Sequence, residues 1–264
     1  MNGRVLIIAG SDSGGGAGIQ ADIKTVMALG GYAATAITAI TAQNTLGVFG
    51  VHPIPADMVL AQGRAVLTDI GTDAIKTGML ASVEIIEAAA RLIDEAAAPA
   101  AIDPVMVASS GARLIGPGAV ATLKSLLIVR AALLTPNAPE AAALTGLTVE
   151  TTDDLRLAGE ALLKAGAKAV LMKGGHIAGE TLTDVLMTPT GEVTFSGPRI
   201  DTRNTHGTGC TLASACAVGL AQGLPLNDAV ARAWAYVAEA IRRAPGLGTG
   251  AGPLDHGWVL HDKA

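Results

Sequence analysis

The chain has 264 residues and a formal net charge of −5; half of its residues are hydrophobic and 16% are charged. That composition belongs to a packed domain, of a size that buries roughly three quarters of its unfolded surface, and excludes a mainly disordered polymer. The acidic balance, with two residues each of Trp, Tyr and Phe, excludes a basic, base-stacking nucleic-acid surface, and no apolar run approaches the ~20 residues that a membrane span needs.

In chain order, apolar runs rich in β-branched residues predict strands at 4–9, 32–41, 74–77, 100–104, 133–135 and 169–173. Stretches of helical period predict helices at 18–29, 55–70, 82–96, 117–127, 138–144, 152–165, 208–222 and 226–243. This alternation is the pattern of repeated βαβ units on a parallel sheet. Pro189-Thr190-Gly191, between extended runs at 181–188 and 192–196, predicts a hairpin at the sheet edge. No repeat or linker divides the chain, so a single domain over 1–264 is expected. The first apolar run, Val5 to Ala9, is too short for a secretory h-region and leads into glycines, which predicts a cytoplasmic protein. Cys210 and Cys216 fall on one predicted helix, about 9 Å apart along its axis and beyond disulfide reach, which predicts free thiols. The glycine-rich stretches 11–18 and 245–253 read as flaps or as turns.

In parallel α/β sheets ligands collect beyond the carboxyl ends of the strands. Polar or glycine-rich groups follow every predicted strand there, from Gly10-Ser11-Asp12 to Lys173-Gly174-Gly175-His176. The strongest signal is Asn204-Thr205-His206-Gly207-Thr208-Gly209-Cys210-Thr211, which opens an apolar helix. Glycines at a helix start leave amides bare at the positive end of the dipole, a hole for an anion such as a phosphoryl group in transfer. A plain glycine-containing helix start is the alternative. The sequence contains neither a Walker A loop nor a dinucleotide fingerprint.

Cys210 lies in the first turn of that helix, where a thiol pKa is expected to fall, and is a candidate to accept a proton from a substrate hydroxyl. Lys173, at a strand end before two glycines, is placed to reach a phosphate as a point charge, or simply to face solvent. Asn137 followed by Glu140 reads as a helix capping box or as part of a Mg²⁺ site, with Asp103 the second carboxylate or only a turn initiator. Asp22 and Gln43 are candidates for the opposite end of the pocket, where an amide suits a heteroaromatic edge, or are surface and cap residues.

Taken together, these segments, with Gln20-Ala21-Asp22, Thr41-Ala42-Gln43-Asn44-Thr45, Lys76-Thr77-Gly78-Met79-Leu80, Asp103-Pro104-Val105-Met106-Val107 and Thr135-Pro136-Asn137, closely resemble the hydroxymethylpyrimidine/phosphomethylpyrimidine kinases of thiamine biosynthesis, in the ribokinase-like superfamily. The match runs in order from about Arg4 to His256. The resemblance implies a three-layer α/β/α sandwich with a mostly parallel sheet, and use of ATP and Mg²⁺. It implies phosphorylation of 4-amino-5-hydroxymethyl-2-methylpyrimidine and then of its monophosphate, with no nucleic-acid or membrane partner and a homodimeric assembly. It also implies that Gly10, Asp22, Gln43, Met79, Val105 and Val107 face the pyrimidine, and that Lys173, Asn137, Thr208 and Gly209 lie near the nucleotide phosphates. Asp103 and Glu140 would then face the metal, while Gly207, Gly209 and Cys210 form the anion hole with its base. A pyridoxal or pyridoxine kinase of the same superfamily, or a pyrimidine-binding regulator without catalysis, are the competing readings. The tail departs from the family's Gly-Pro-x-x-His-Phe ending, reading Gly252-Pro253-Leu254-Asp255-His256-Gly257.

Overall fold

The computed structural model describes residues 2–107, 111, 114–116 and 118–261. The strands are β1 (Arg4–Asp12), β2 (Tyr32–Asn44), β3 (Gly47–Pro53), β4 (Ala74–Thr77), β5 (Ala100–Ile102), β6 (Ala131–Leu134), β7 (Val170–Met172), β8 (Thr181–Thr188) and β9 (Gly191–Pro198). The helices are α1 (Gly18–Ala28), α2 (Ala56–Asp69), α3 (Val83–Ala96), α4 (Ala119–Leu126), α5 (Ala138–Thr145), α6 (Thr152–Lys164), α7 (Thr208–Ala221), α8 (Leu226–Arg242) and the short α9 (Trp258–His261). Each predicted strand and helix lies within a few residues of an observed one; the predicted start of α4, Pro117, is outside the described residues. Among the described residues three elements escape the sequence reading: β3, α9 and a single 3₁₀ turn at Ile128–Arg130.

Among the described residues the strands form one sheet in the order β3-β2-β1-β4-β5-β6-β7-β8-β9. The run from β2 to β7 is parallel, while β3, β8 and β9 are antiparallel additions at the edges, so the predicted hairpin closes one side. Both faces are covered, and the alternation along β1 shows how. Leu6 and Ile8 join a core with Val59 of α2, Ile86 of α3, Leu123 of α4, Ala141 of α5 and Leu155 of α6. Val5, Ile7 and Ala9 point the other way, toward Val26 of α1 and Val218 of α7, and α8 adds Val230, Ala233 and Val237 on that face. The result is a three-layer α/β/α sandwich. Each fully buried Leu or Ile contributes about 1.5–3 kcal/mol.

Two helices show what that packing asks of the sequence. Helix α7 is apolar all round and buried from Thr211 to Gly219 because it lies between the sheet and α8. At Gly219 a side chain would meet the Ala229 Cβ at 2.7 Å, so this glycine sets how closely α7 and α8 approach. Helix α3 is amphipathic, burying Ile85, Ile86, Ala89, Leu92 and Ile93, with the Ser82 side chain capping its first turn. Strand β1 runs on to Asp12, past the predicted end at Ala9, through a register shift between Ala9 and Ser11 that falls at Gly10.

The two glycine-rich stretches are held by bonds. Asp12 accepts amides from Gly14 (2.8 Å), Gly16 (3.1 Å) and Ala17 (2.8 Å), which shapes 11–18 into a compact loop. The other stretch is tied to the β2–β3 turn by Ala251 N–H to the Thr45 carbonyl (2.9 Å) and to the α7 approach by His206 N–H to the Gly252 carbonyl (3.1 Å).

Candidate active site

A cavity of about 1000 Å³ opens at the carboxyl ends of the parallel strands. Gly10, Gln43, Met79, Val105 and Val107 form part of its wall, as do Asp103, Asn137, Glu140 and Lys173, and then Gly207, Thr208, Gly209 and Cys210. Parallel strands project their loops to one end, so segments more than 190 residues apart in sequence meet there.

The turn before α7 carries the electrostatic centre. Gly207 caps the helix at φ 85°, a left-handed conformation, and no side chain caps the helix or places an acid in its first turn. A methyl group at 207 would overlap the Gly16 carbonyl oxygen, so only glycine fits. Among the described residues the amides of Gly207, Gly209 and Cys210 donate to no protein acceptor, which leaves three N–H groups at the positive end of a 14-residue helix. The Thr208 amide is different: it donates to the Thr205 carbonyl at 3.2 Å, as does its hydroxyl at 2.8 Å, so Thr208 lines the cavity without adding a bare amide.

Facing that turn is a charged cluster. Lys173 Nζ donates to Asp103 Oδ1 at 2.9 Å and lies 3.8 Å from Glu140 Oε2. A side chain on Gly209 would meet Lys173 Nζ at 3.2 Å and Asp103 Oδ2 at 3.6 Å, so cluster and helix start are separated by little more than a methyl group. Burial opposes the charge on Lys173, but the two carboxylates outweigh it and hold its pKa above the ordinary lysine value. Burial pushes Glu140 up to about 7, with Lys173 opposing and Asp103 adding to the rise.

The ambiguity at 137–140 resolves as a capping box, with Glu140 N–H to Asn137 Oδ1 at 2.9 Å and Asn137 N–H to Glu140 Oε2 at 2.8 Å. The same carboxylate still faces the cavity. Asp103 Oδ1 is taken by Lys173 and by Thr135 Oγ1 at 3.2 Å, whereas Oδ2 has no donor among the described bonds and points toward Gly209. A buried carboxylate oxygen left over beside a phosphate-sized hole fits a Mg²⁺ held mainly through water and phosphate. Among the described residues no group of three or more His, Cys, Asp or Glu side chains is placed to hold a metal ion by itself.

Two expectations need correction. Asp22 does not face the cavity: it lies on the buried face of α1, wholly enclosed, with both oxygens 2.8 Å from Lys76 Nζ and with Ser214 Oγ donating to it at 2.7 Å. Lys76 on β4 is equally enclosed, and Asp22 keeps its pKa above the ordinary value against the cost of burial. The Cys210 thiol is not acidified: burial pushes it up to about 11, Lys76 opposing, and neither the helix start nor the Gly18 amide beside the sulfur reverses this.

Sequence reasoning quoted Asp12 and His206 without giving them a role, yet they meet at 2.8 Å in the cavity wall. It also missed the stretch of wall made by Trp234, Val237, Ala238 and Ile241 of α8, since alanine-rich amphipathic helices carry no ligand signature. Arg199 lines the cavity as well, but its guanidinium is spent on the Gly175, Ile177 and Gly179 carbonyls and braces the glycine turn after β7. At Gly174 any side chain would strike the Thr183 carbonyl, which explains the glycine after Lys173.

The model of a family described as phosphomethylpyrimidine kinase matches residues 12–255. Over 256 residues the chain is 49% identical to the hydroxymethylpyrimidine/phosphomethylpyrimidine kinase of Streptomyces coelicolor, covering 97% of this chain and 95% of that one. Over 255 residues it is 51% identical to the thiamine biosynthesis bifunctional protein ThiED of Geobacter sulfurreducens; that match covers 96% of this chain but 52% of the longer protein, so the chain spans about half of it. Among solved structures, the pyridoxal kinase from Staphylococcus aureus in complex with AMP-PCP and pyridoxal superposes with a TM-score of 0.90 at 34% identity, covering 97% of this chain and 94% of that one.

Proposed function

The chain belongs to the phosphomethylpyrimidine kinase family, and from that premise we propose how its residues carry out phosphoryl transfer to hydroxymethylpyrimidine and then to its monophosphate. The reading rests on one observation above all: the amides of Gly207, Gly209 and Cys210, which donate to no acceptor among the described residues, lie at the cavity beside Lys173. Such a hole favours a group whose charge spreads over three equatorial oxygens, and it does so more in the transition state than in the ground state.

In this reading Gly10, Gln43, Met79, Val105 and Val107 hold the pyrimidine, with the acceptor oxygen toward Cys210. Lys173 leans off Asp103 to meet the transferred group, and the nucleotide phosphates lie along Asn137, Thr208 and Gly209. The adenine rests on the apolar wall of Val237, Ala238 and Ile241, which supplies surface that the few aromatics do not. Asp103 and Glu140 would hold Mg²⁺, which when bound neutralises phosphate charge and orients the donor. Cys210 is protonated at rest and can take the acceptor proton only as its scarce thiolate; a loose transition state tolerates this because the proton leaves late, to that thiolate or to an oxygen of the transferred phosphoryl group. Positioning and charge carry most of the rate.

A homodimer is the assembly we propose, with the exposed apolar side chains Leu46, Phe49 and Val51 around the edge strand β3 as its natural seam. The free thiols Cys210 and Cys216 suit a cytoplasmic location, and no described helix is long and apolar enough to cross a membrane.

A pyridoxal kinase is the second reading, favoured by the TM-score of 0.90, whereas 49% identity to a hydroxymethylpyrimidine kinase against 34% to the pyridoxal kinase favours the first. ADP release from ATP and Mg²⁺, with hydroxymethylpyrimidine, its monophosphate, pyridoxal and ribose offered separately, decides. Stimulation by both pyrimidines is expected, and stimulation by pyridoxal alone overturns the substrate assignment.

A further inference from the structure

The loop between β1 and α1 runs alongside the turn that opens α7, and three contacts join them in matched order. Asp12 Oδ2 is 2.8 Å from His206 Nε2. Gly16 and Gly207 touch backbone to backbone, each leaving room the other needs: a side chain at 207 would strike the Gly16 carbonyl, and one at 16 would lie 2.6 Å from His206 Cδ2. The Gly18 amide also faces the Cys210 thiol closely enough to favour its charged form. Residues 12, 16 and 18 thus pair with 206, 207 and 210, so the loop that walls the acceptor end is packed onto the turn that would receive the phosphoryl group.

His206 occupies the junction. Asp12 only accepts, so Nε2 of His206 must carry the proton between them. Gln43 Nε2 is placed 3.3 Å from the same nitrogen, and since two N–H groups cannot face each other, a protonated His206 Nε2 requires the amide turned over, with its oxygen toward His206. That orientation turns the Gln43 NH₂ toward Thr41 Oγ1, whose own hydrogen goes to the Ser11 carbonyl at 2.9 Å. One protonated imidazole nitrogen thereby fixes the 11–18 loop and the direction of the Gln43 amide, while the backbone of the same residue, anchored by its N–H to the Gly252 carbonyl, carries directly into Gly207.

We propose that His206 is a positioning residue which couples the two ends of the cavity, so that a pyrimidine seated against Gln43 and the 11–18 loop improves the placement of the Gly207, Gly209 and Cys210 amides, and an occupied anion hole in turn improves pyrimidine binding. The inference rests on the kinase reading. Such coupling is reciprocal by thermodynamic necessity, and typical values change affinity by about 5- to 150-fold.

The test uses the full chain, with calorimetric titration of AMP-PCP and Mg²⁺ in the presence and absence of hydroxymethylpyrimidine, alongside turnover. In the wild type each ligand tightens the other about fivefold or more. The His206→Leu variant loses that mutual effect and about 100-fold in kcat, the scale of a reacting group misplaced by about 1 Å. Asp12 keeps its three backbone donors in this variant, so the loop stays satisfied. The His206→Gln variant, whose amide still donates to Asp12, recovers about tenfold or more of the loss, which general destabilisation would not produce. Because an unfolded His206→Leu would mimic lost activity, Asp12→Asn is read beside it, keeping side-chain size and one of the two acceptor oxygens while weakening the bond to His206; it loses coupling too. Wild-type coupling in either folded variant, or no mutual tightening in the wild type, overturns the proposal. A wild type that releases no ADP with any pyrimidine instead defeats the kinase reading, and the two failures are separate.

Discussion

Lys76 Nζ lies 2.8 Å from each carboxylate oxygen of Asp22, and neither side chain has any exposed surface. The pair joins β4 to α1, and Ser214 attaches it to α7 one helical turn beyond Cys210. Removing one partner of a buried pair strands the other charge, which costs about 3–5 kcal/mol, whereas replacing both with apolar residues is often neutral. We expect Asp22→Asn to lower the thermal midpoint by on the order of 10 °C, with the Asp22→Leu/Lys76→Met double variant recovering most of it. The pyrimidine KM of whatever folded Asp22→Asn remains should stay near the wild-type value. A variant with unchanged melting and a raised KM would return Asp22 to the substrate wall.

That misassignment shows what the sequence carries. Helical spacing places Asp22 with Ile19, Val26 and Thr25 on the buried face of α1, but a lone acid in such a stripe reads as polar chemistry until its counter-ion is known, and Lys76 is 54 residues away on a strand. Strand β3 was hidden for another reason: its seven residues include two glycines and a terminal proline, and most are exposed, so no burial pattern marks it and only antiparallel pairing with β2 makes it a strand. The βαβ order, the hairpin and the capping box at Asn137 were legible because period, turn residues and caps are local. The thiol pKa of Cys210 was not, because desolvation depends on the whole fold.

Two glycines at the α7 start should respond differently. Gly207 is at φ 85° against the Gly16 carbonyl, so Gly207→Ala combines backbone strain of about 1–3 kcal/mol with a steric overlap and should lower both stability and turnover. Gly209→Ala meets only Lys173 Nζ at 3.2 Å and Asp103 Oδ2 at 3.6 Å, so it should melt close to wild type. Its methyl group nevertheless fills the space between the bare amides and Lys173, and kcat should fall about 100-fold, as when an oxyanion donor is lost. Wild-type turnover in folded Gly209→Ala would argue that phosphoryl transfer happens elsewhere in the cavity.

Glu140 should leave a mark in both stability and rate. Its carboxyl rises from 4.5 in the free side chain to about 7 in the fold, so the folded state binds more protons between those values. Stability therefore declines as pH rises from about 4.5 to about 7 and levels above that, a decline that Glu140→Gln should not show. The Gln side chain can still accept the Asn137 amide, so the cap survives. The ionised form is the one that would hold Mg²⁺, so kcat/KM for MgATP should rise through about pH 7 in the wild type and lie low and flat in Glu140→Gln. An acid limb unchanged by the substitution would assign that titration to another group.

Cys210 offers a direct reading of its own charge. With the thiol pushed up to about 11, thiolate is present in about one chain in ten thousand at pH 7, against a few per cent for a free cysteine. Alkylation by iodoacetamide should thus be slow at pH 7 and accelerate about tenfold per pH unit up to pH 10. Cys216 is fully buried in the core and should not contribute, and Cys210→Ala should abolish the signal. The same variant should lower kcat by about 100-fold, the low end of general-base effects, and leave pyrimidine binding largely intact. Rapid alkylation at pH 7 would mean that the Gly18 amide and the α7 dipole outweigh burial at the sulfur, and would restore Cys210 as a resting thiolate ready to take the acceptor proton; slow alkylation together with full turnover in Cys210→Ala would leave the three amides and Lys173 to account for the rate without it.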